Sequence, residues 1–305
     1  MKQTLWKAAL AGFAGILTTV PATAEVKSAN ARITVAAAEA KKTAYAPPAA
    51  TAPTAGAQAD VIVFSAAPRE SEESARELYD PVAKYLSQVI GKRVVFQYPG
   101  TWGVYRAEML KGTYDLVFDG PHFNSYRSER LNHNVLVKMP EVHEFVVISK
   151  KETKFNSLSQ MAGRSFCTHA PPNLGTLILL SQFENPARQP LIVNTNGWDK
   201  IFEGVASGRC SAGVLPLLNL KKLDKTAQMK VLHRAQPMPN QAFSAGPRIT
   251  PEDQARIAQA LLAPEAAVPT ARMREAFKSA SNLVATSNQE YTGLGNYLRS
   301  EWGYY

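Results

Sequence analysis

The sequence predicts a two-lobed α/β fold in which each lobe is a doubly wound, mostly parallel sheet and two crossing segments form a hinge. Three observations carry that expectation. Strand and helix patterns alternate from residue 60 onward, the order β-α-β-α-β occurs twice, and the second occurrence echoes the first in local detail. The stretch is also longer than one hydrophobic core usually serves.

The first 24 residues read as an export leader. Lys2 and Lys7 precede an almost wholly apolar run over residues 8–20, and Ala22-Thr23-Ala24 supplies small residues for cleavage after Ala24. That run is too short to span a bilayer, and nothing later compensates, so no integral membrane segment and a periplasmic location are expected. Residues 25–59 are rich in Ala, Pro and Thr and bury too little apolar surface to offset ordering, which predicts a disordered tether. The first part of lobe 1 is expected over 60–142, lobe 2 over 143–235, and a return to lobe 1 with a C-terminal extension over 236–305.

In lobe 1 the spacing predicts a buried strand over 61–64. A helix then opens at Ser71, with apolar positions Ala75, Leu78, Val82, Tyr85, Leu86 and Val89. A strand over 92–98, a helix over 101–111 and a strand over 114–118 follow. The order returns as a strand over 164–168, a helix over 173–183 and a strand over 191–194. Gly197-Trp198-Asp199 then opens a helix as Thr101-Trp102-Gly103 does, and the segment from Gly208 to Pro216 parallels that from Gly112 to Pro121. Parallel sheets place ligands beyond the carboxyl ends of their strands, so two such lobes facing each other enclose a cleft. The crossings are expected over 141–150, including the extended run 145–148, and over 231–244.

Tyr79-Asp80-Pro81-Val82, the run from Lys111 to Leu116 leading to Gly120-Pro121, and Ser157-Leu158-Ser159-Gln160-Met161-Ala162-Gly163-Arg164 resemble the phosphate/phosphonate-type solute-binding family of ABC importers. The resemblance implies a type II two-lobed fold, a small ligand in the interlobe cleft, and an ABC permease as partner. Members that hold phosphonate present a Ser-Thr-Ser-Gly run at the helix after the first strand of the second lobe. Here that turn reads His169-Ala170-Pro171-Pro172-Asn173-Leu174-Gly175-Thr176, leaving Asn173 and Thr176 as the substitutes.

The expected ligand-binding residues are Arg69, Trp102, Asp119, His122, Phe123, His143, His169, Asn173 and Thr176. Arg69 is the available anion clamp. Trp102 and Phe123 can cover a solute or pack in the core. Asp119, His122 and His169 together suit a divalent metal; the competing account has Asp119 capping a turn and the histidines as ordinary loop residues. An ionised Asp119 in the cleft would repel a dianion and favour a cationic, zwitterionic or metal-bound solute. Cys167 and Cys210, on neighbouring strands of an exported protein, predict a disulfide. Cys167-Thr168-His169 lacks the oxyanion site and orienting partner that a nucleophile needs, so no enzyme is expected.

The formal charge is +9, but Lys and Arg are scattered, which argues against a nucleic-acid partner. A monomer is expected. The alternative function on the same fold is a periplasmic sensor or delivery module that binds a metal or metal-bound ligand and docks on a partner protein. The aromatic tail over 271–305 is expected to wrap the lobes.

Overall fold

The computed structural model describes residues 61–301 and 304. The leader, the cleavage point after Ala24 and the tether expected over 25–59 lie outside the described residues.

Lobe 1 opens with β1 (Val61–Ala66), after which Ser71 caps α1 (Glu72–Ile90). The Ser71 hydroxyl accepts from Ser74 N, Glu72 and Glu73 sit at the positive end of the helix dipole, and Gly91 ends the helix at φ 69°. The buried face of α1 carries Ala75, Tyr79, Val82 and Leu86 against the sheet. β2 (Arg93–Phe96), α2 (Trp102–Leu110), β3 (Leu116–Asp119) and α3 (Pro121–Arg130) complete the first β-α-β-α-β unit and its following helix. β4 (Asn134–Lys138) then leads toward the second lobe, which contains β5 (Phe145–Lys150), β6 (Ser165–Thr168), α4 (Leu174–Ser181), β7 (Leu191–Asn194), α5 (Trp198–Ala206), β8 (Ala212–Pro216), α6 (Leu217–Leu223) and β9 (Met229–Arg234). The chain returns through β10 (Ala242–Ala245) and α7 (Pro251–Leu262), and ends with α8 (Ala271–Ala276), β11 (Val284–Ala285) and α9 (Asn288–Tyr291).

The strand orders are β11-β4-β10-β3-β1-β2 and β7-β6-β8-β5-β9. Without the edge strand β11 they are the same arrangement, since β2-β1-β3-β10-β4 corresponds to β7-β6-β8-β5-β9. The expected mostly parallel sheets are corrected by this pattern. Only β2-β1-β3 and β7-β6-β8 run parallel; β10, β4, β5 and β9 all pair antiparallel, so both sheets are mixed.

The register supplies the reason. Ala242, the first residue of β10, pairs with Asp119 at the end of β3, and Phe145, the first of β5, pairs with Pro216 at the end of β8. Each crossing thus delivers the chain at the carboxyl ends of the parallel strands, and the strand it feeds has to run back.

The two crossings are shorter than the sequence suggests, because the run 145–148 is an interior strand of the second sheet, flanked by β8 and β9. Between β4 and β5, and again between β9 and β10, the chain passes from one sheet to the other. Those passes touch where His143 N donates to Met238 O at 2.9 Å and Met238 N to His143 O at 3.0 Å. A pair of short, mutually bonded segments is a hinge by construction.

Phe64, Tyr79, Phe96, Phe118 and Phe243 pack as a tilted and edge-on aromatic group in the main core of lobe 1. In lobe 2, Cys167 and Cys210 form a disulfide with Cα atoms 5.6 Å apart. The helix α5 crosses it at Gly204, where a Cβ would stand 2.6 Å from the Cys167 sulfur, so only glycine allows this approach.

The tail wraps: Leu298 and Tyr304 pack with Tyr105 and Phe123 of lobe 1 and Leu177 of α4 in lobe 2, and the Tyr291 hydroxyl donates to Asn240 O. Among the described residues no helix is long and apolar enough to cross a membrane.

Candidate functional site: the cleft between the lobes

A cleft of about 990 Å³ opens where the carboxyl ends of the parallel strands of both lobes meet. Lobe 1 lines it with Arg69, Trp102 and His122, lobe 2 with His169 and Asn173, and the crossings with His143. These six sequence-predicted residues therefore face one space. Asp119, Phe123 and Thr176 do not line it; they stand behind it.

Asp119 is the largest departure from expectation. As the last residue of β3 it points into lobe 1, where its side chain has no solvent exposure. Oδ1 accepts from Arg69 Nη2 at 2.7 Å and from the Gly120 amide at 2.7 Å. Oδ2 accepts from Arg127 Nη1 at 3.1 Å and from the Tyr105 hydroxyl. Burial alone would raise this carboxyl, but the two guanidiniums and the Tyr105 bond outweigh it and hold it below the usual carboxylate range. The carboxylate is thus ionised, matched by two cations and turned away from any solute, so it is no source of repulsion toward a dianion. It orients Arg69 instead. Asp119 is the only hydrogen-bond partner of the Arg69 side chain among the described residues, and Trp102 lies 6.0 Å from the guanidinium. The remaining donors of the fork are free for a solute.

The metal expectation fails for the same reason. Both oxygens of Asp119 are spent, His122 Nε2 lies 3.1 Å from Pro172 O across the cleft, and His169 packs edge-on against Trp198. Among the described residues no group of three or more His, Cys, Asp or Glu could hold a metal ion.

The expected anion cradle at the start of α4 is likewise closed from within. Asn173 Oδ1 accepts from the Gly175 amide at 3.0 Å as the helix cap, while the Thr176 hydroxyl bonds His169 O and the Thr168 hydroxyl. Phe123 is fully buried and stacks on Trp102 with centroids 6.0 Å apart, so it supports the ring that lines the cleft.

Burial lowers the histidines: His122 to about 3 and His143 to about 4, with His169 also below its ordinary value. All three are neutral imidazoles at neutral pH.

Sequence reasoning missed Trp198, Arg127 and Gln241. Trp198 begins α5 as Trp102 begins α2, and both line the cleft; the repeated Trp was a usable signal. Arg127, fully buried, lies one helical turn beyond Phe123 on α3, and its guanidinium is 5.8 Å from the Phe123 ring. Nothing in the polar sequence of α3 announces that. Tyr105 looks like core and is core, with its hydroxyl committed to Asp119. Gln241, in the second crossing, carries no sequence signal.

The profile of the family described as the ABC transporter phosphonate periplasmic substrate-binding protein matches residues 64–291. No curated protein matches the chain. Among solved structures, XAC2383 from Xanthomonas citri bound to ATP is similar at a TM-score of 0.62 and 13% identity, over 78% of this chain and 97% of that one. PhnD1 from Prochlorococcus marinus in complex with methylphosphonate is similar at 0.60 and 15%, over 79% and 98%. A binding protein component of an ABC phosphonate transporter from Pseudomonas aeruginosa is similar at 0.54 and 15%, over 76% and 83%. These neighbours share the type II periplasmic binding fold with two lobes. The matched span takes in both sheets, both crossings and the cleft, and the chain belongs to the phosphonate periplasmic substrate-binding protein family of ABC transporters.

Proposed function

We propose that the protein is an exported receptor that captures a small solute bearing an anionic, phosphonate-like group between its lobes and delivers it to an ABC permease. It acts as a monomer, after removal of the leader at Ala24, and performs no chemistry on the solute. The observation that carries this reading is Arg69, whose guanidinium is held by a buried carboxylate at the cleft wall with donors to spare. A cation fixed before the ligand arrives loses little side-chain freedom on binding. Phosphonate-like oxygens match its fork, and PhnD1, a fold neighbour, holds methylphosphonate.

The lobes are joined by the paired crossings and the wrapping tail and touch across the cleft at His122 and Pro172, so rotation about the His143–Met238 bridge can open and close the cleft. Calorimetric titration of the chain from residue 25 onward with phosphate, methylphosphonate and larger phosphonates tests the reading, with small-angle scattering before and after saturation. Saturable binding with a fall in radius of gyration is expected. Absence of binding by every anion in the panel overturns it.

A further inference from the structure

The cleft wall of lobe 1 contains buried polar atoms with no partner, and two of them converge. His122 Nε2 is 3.1 Å from the carbonyl oxygen of Pro172. A carbonyl only accepts, so Nε2 carries the proton and Nδ1 presents a lone pair. With burial keeping the ring neutral, that tautomer persists at neutral pH.

His122 is 3% exposed and Gln241 6%, and neither His122 Nδ1 nor Gln241 Oε1 has a hydrogen-bond partner among the described residues. Both lie against Gly120. A Cβ there would stand 3.2 Å from Nδ1 and 3.3 Å from Oε1. Gly120 has φ −68° and ψ 161°, a conformation open to any residue, so the backbone does not require glycine at this point. The close approach of the imidazole and the amide does.

A buried acceptor left unpaired is costly, and two at one point are costlier. An anionic oxygen cannot satisfy them, because it would meet two lone pairs. An N–H or O–H group would. Arg69 stands beside this point, since Asp119 Oδ1 accepts from both its guanidinium and the Gly120 amide. One small molecule can therefore reach both.

We propose that His122 Nδ1 and Gln241 Oε1 form an acceptor subsite for a hydrogen-bond donor of the solute, and that the solute is an amino- or hydroxy-substituted phosphonate-like anion. A bare alkylphosphonate does not satisfy the subsite. This rests on the receptor reading above and specifies its ligand class.

The test is calorimetric titration with three matched probes: ethylphosphonate, 2-hydroxyethylphosphonate and 2-aminoethylphosphonate. One or both donor-bearing probes should bind roughly ten- to a hundredfold more tightly than ethylphosphonate, as expected for pairing a buried acceptor. Gln241→Met should weaken the donor-bearing probes more than ethylphosphonate and so remove most of that advantage, and Gly120→Ala should weaken the donor-bearing probes by filling the gap. In the protein saturated with a donor-bearing probe, the nitrogen-15 shifts of His122 should report the Nε2–H tautomer.

Equal affinity for all three probes, equal losses for all three in Gln241→Met, or an Nδ1–H tautomer overturns the subsite and leaves the receptor reading standing. Failure of every probe, and of phosphate, to bind overturns both.

Discussion

Replacing Arg127 by Met should cost the protein about 3 kcal/mol, at the lower end of the range for breaking a buried ion pair. The guanidinium donates to Asp119 Oδ2 at 3.1 Å and to the Tyr105 oxygen at 2.6 Å, with essentially no solvent exposure at either charged partner. Met fills the stem of the arginine, so the loss is mainly electrostatic and not a cavity. Asp119 keeps Arg69, the Gly120 amide and the Tyr105 hydroxyl, which is why the lower end applies; Tyr105 loses the guanidinium of Arg127 as a donor. For a protein of this size the melting temperature should fall by about 6–12 °C. Urea unfolding followed by tryptophan fluorescence reads the change as a shift in midpoint at constant slope. Tyr105→Phe and the double variant close a cycle whose coupling should exceed about 0.5 kcal/mol. A loss below about 1 kcal/mol, or strict additivity with Tyr105→Phe, refutes the account of Asp119 as a carboxylate shared between two arginines.

Three further outcomes follow from the geometry. The Cys167–Cys210 disulfide, with a sequence separation of 43, restrains the unfolded chain by about 4 kcal/mol; urea midpoints with and without reductant measure it, and no shift removes the claim. His122, His133 and His143 are lowered by burial to about 3, 3 and 4 in the folded state, so between those values and about 6.5 the unfolded chain binds more protons. Their stability contribution is complete above about pH 6.5 and declines as pH falls toward 4, by up to about 4 kcal/mol per pH unit for the three together. Melting temperature measured from pH 8 to 4.5 checks this. Asp119, lowered instead of raised, keeps its contribution across that window and loses it only below the ordinary carboxylate range. Gly175→Ala puts a Cβ 2.7 Å from the Phe145 ring and should cost about 1–3 kcal/mol by thermal melting, since α4 packs directly on β5 there.

The alternating pattern and its internal echo were legible because each strand and each amphipathic helix writes its own period into the sequence. The antiparallel strands were less so. β4 and β9 are short, half-buried runs, and β10 is four residues that only register with β3 makes into a strand. Sequence position alone also cannot say which way a strand enters its sheet, because that depends on where the crossing releases the chain.

At the site, Arg69, Trp102, His122, His143, His169 and Asn173 were legible as residues just beyond strand ends, which is a topological property. The inward turn of Asp119 was not. It depends on Arg127, eight positions on, folding back beneath β3, and an arginine in a helix reading Pro121-His122-Phe123-Asn124-Ser125-Tyr126-Arg127 looks solvent-exposed until the helix is packed.

That inward turn explains how a cleft lined by neutral histidines can still suit an anion. Were Asp119 in the cleft, it would cancel Arg69 toward any solute; placed behind, it fixes the direction of Arg69 while Arg127 balances the carboxylate from the other side. The histidines are then left to act as neutral hydrogen-bonding groups, and His122 spends its one proton on Pro172 of the opposite lobe. In the proposed subsite, a ring whose donor crosses the cleft and whose acceptor meets the solute links lobe closure to ligand choice, because opening the lobes frees the proton that fixes the tautomer. A solute offering a donor to Nδ1 therefore stabilises the same tautomer that the closed lobes require, and a solute offering only acceptors works against it.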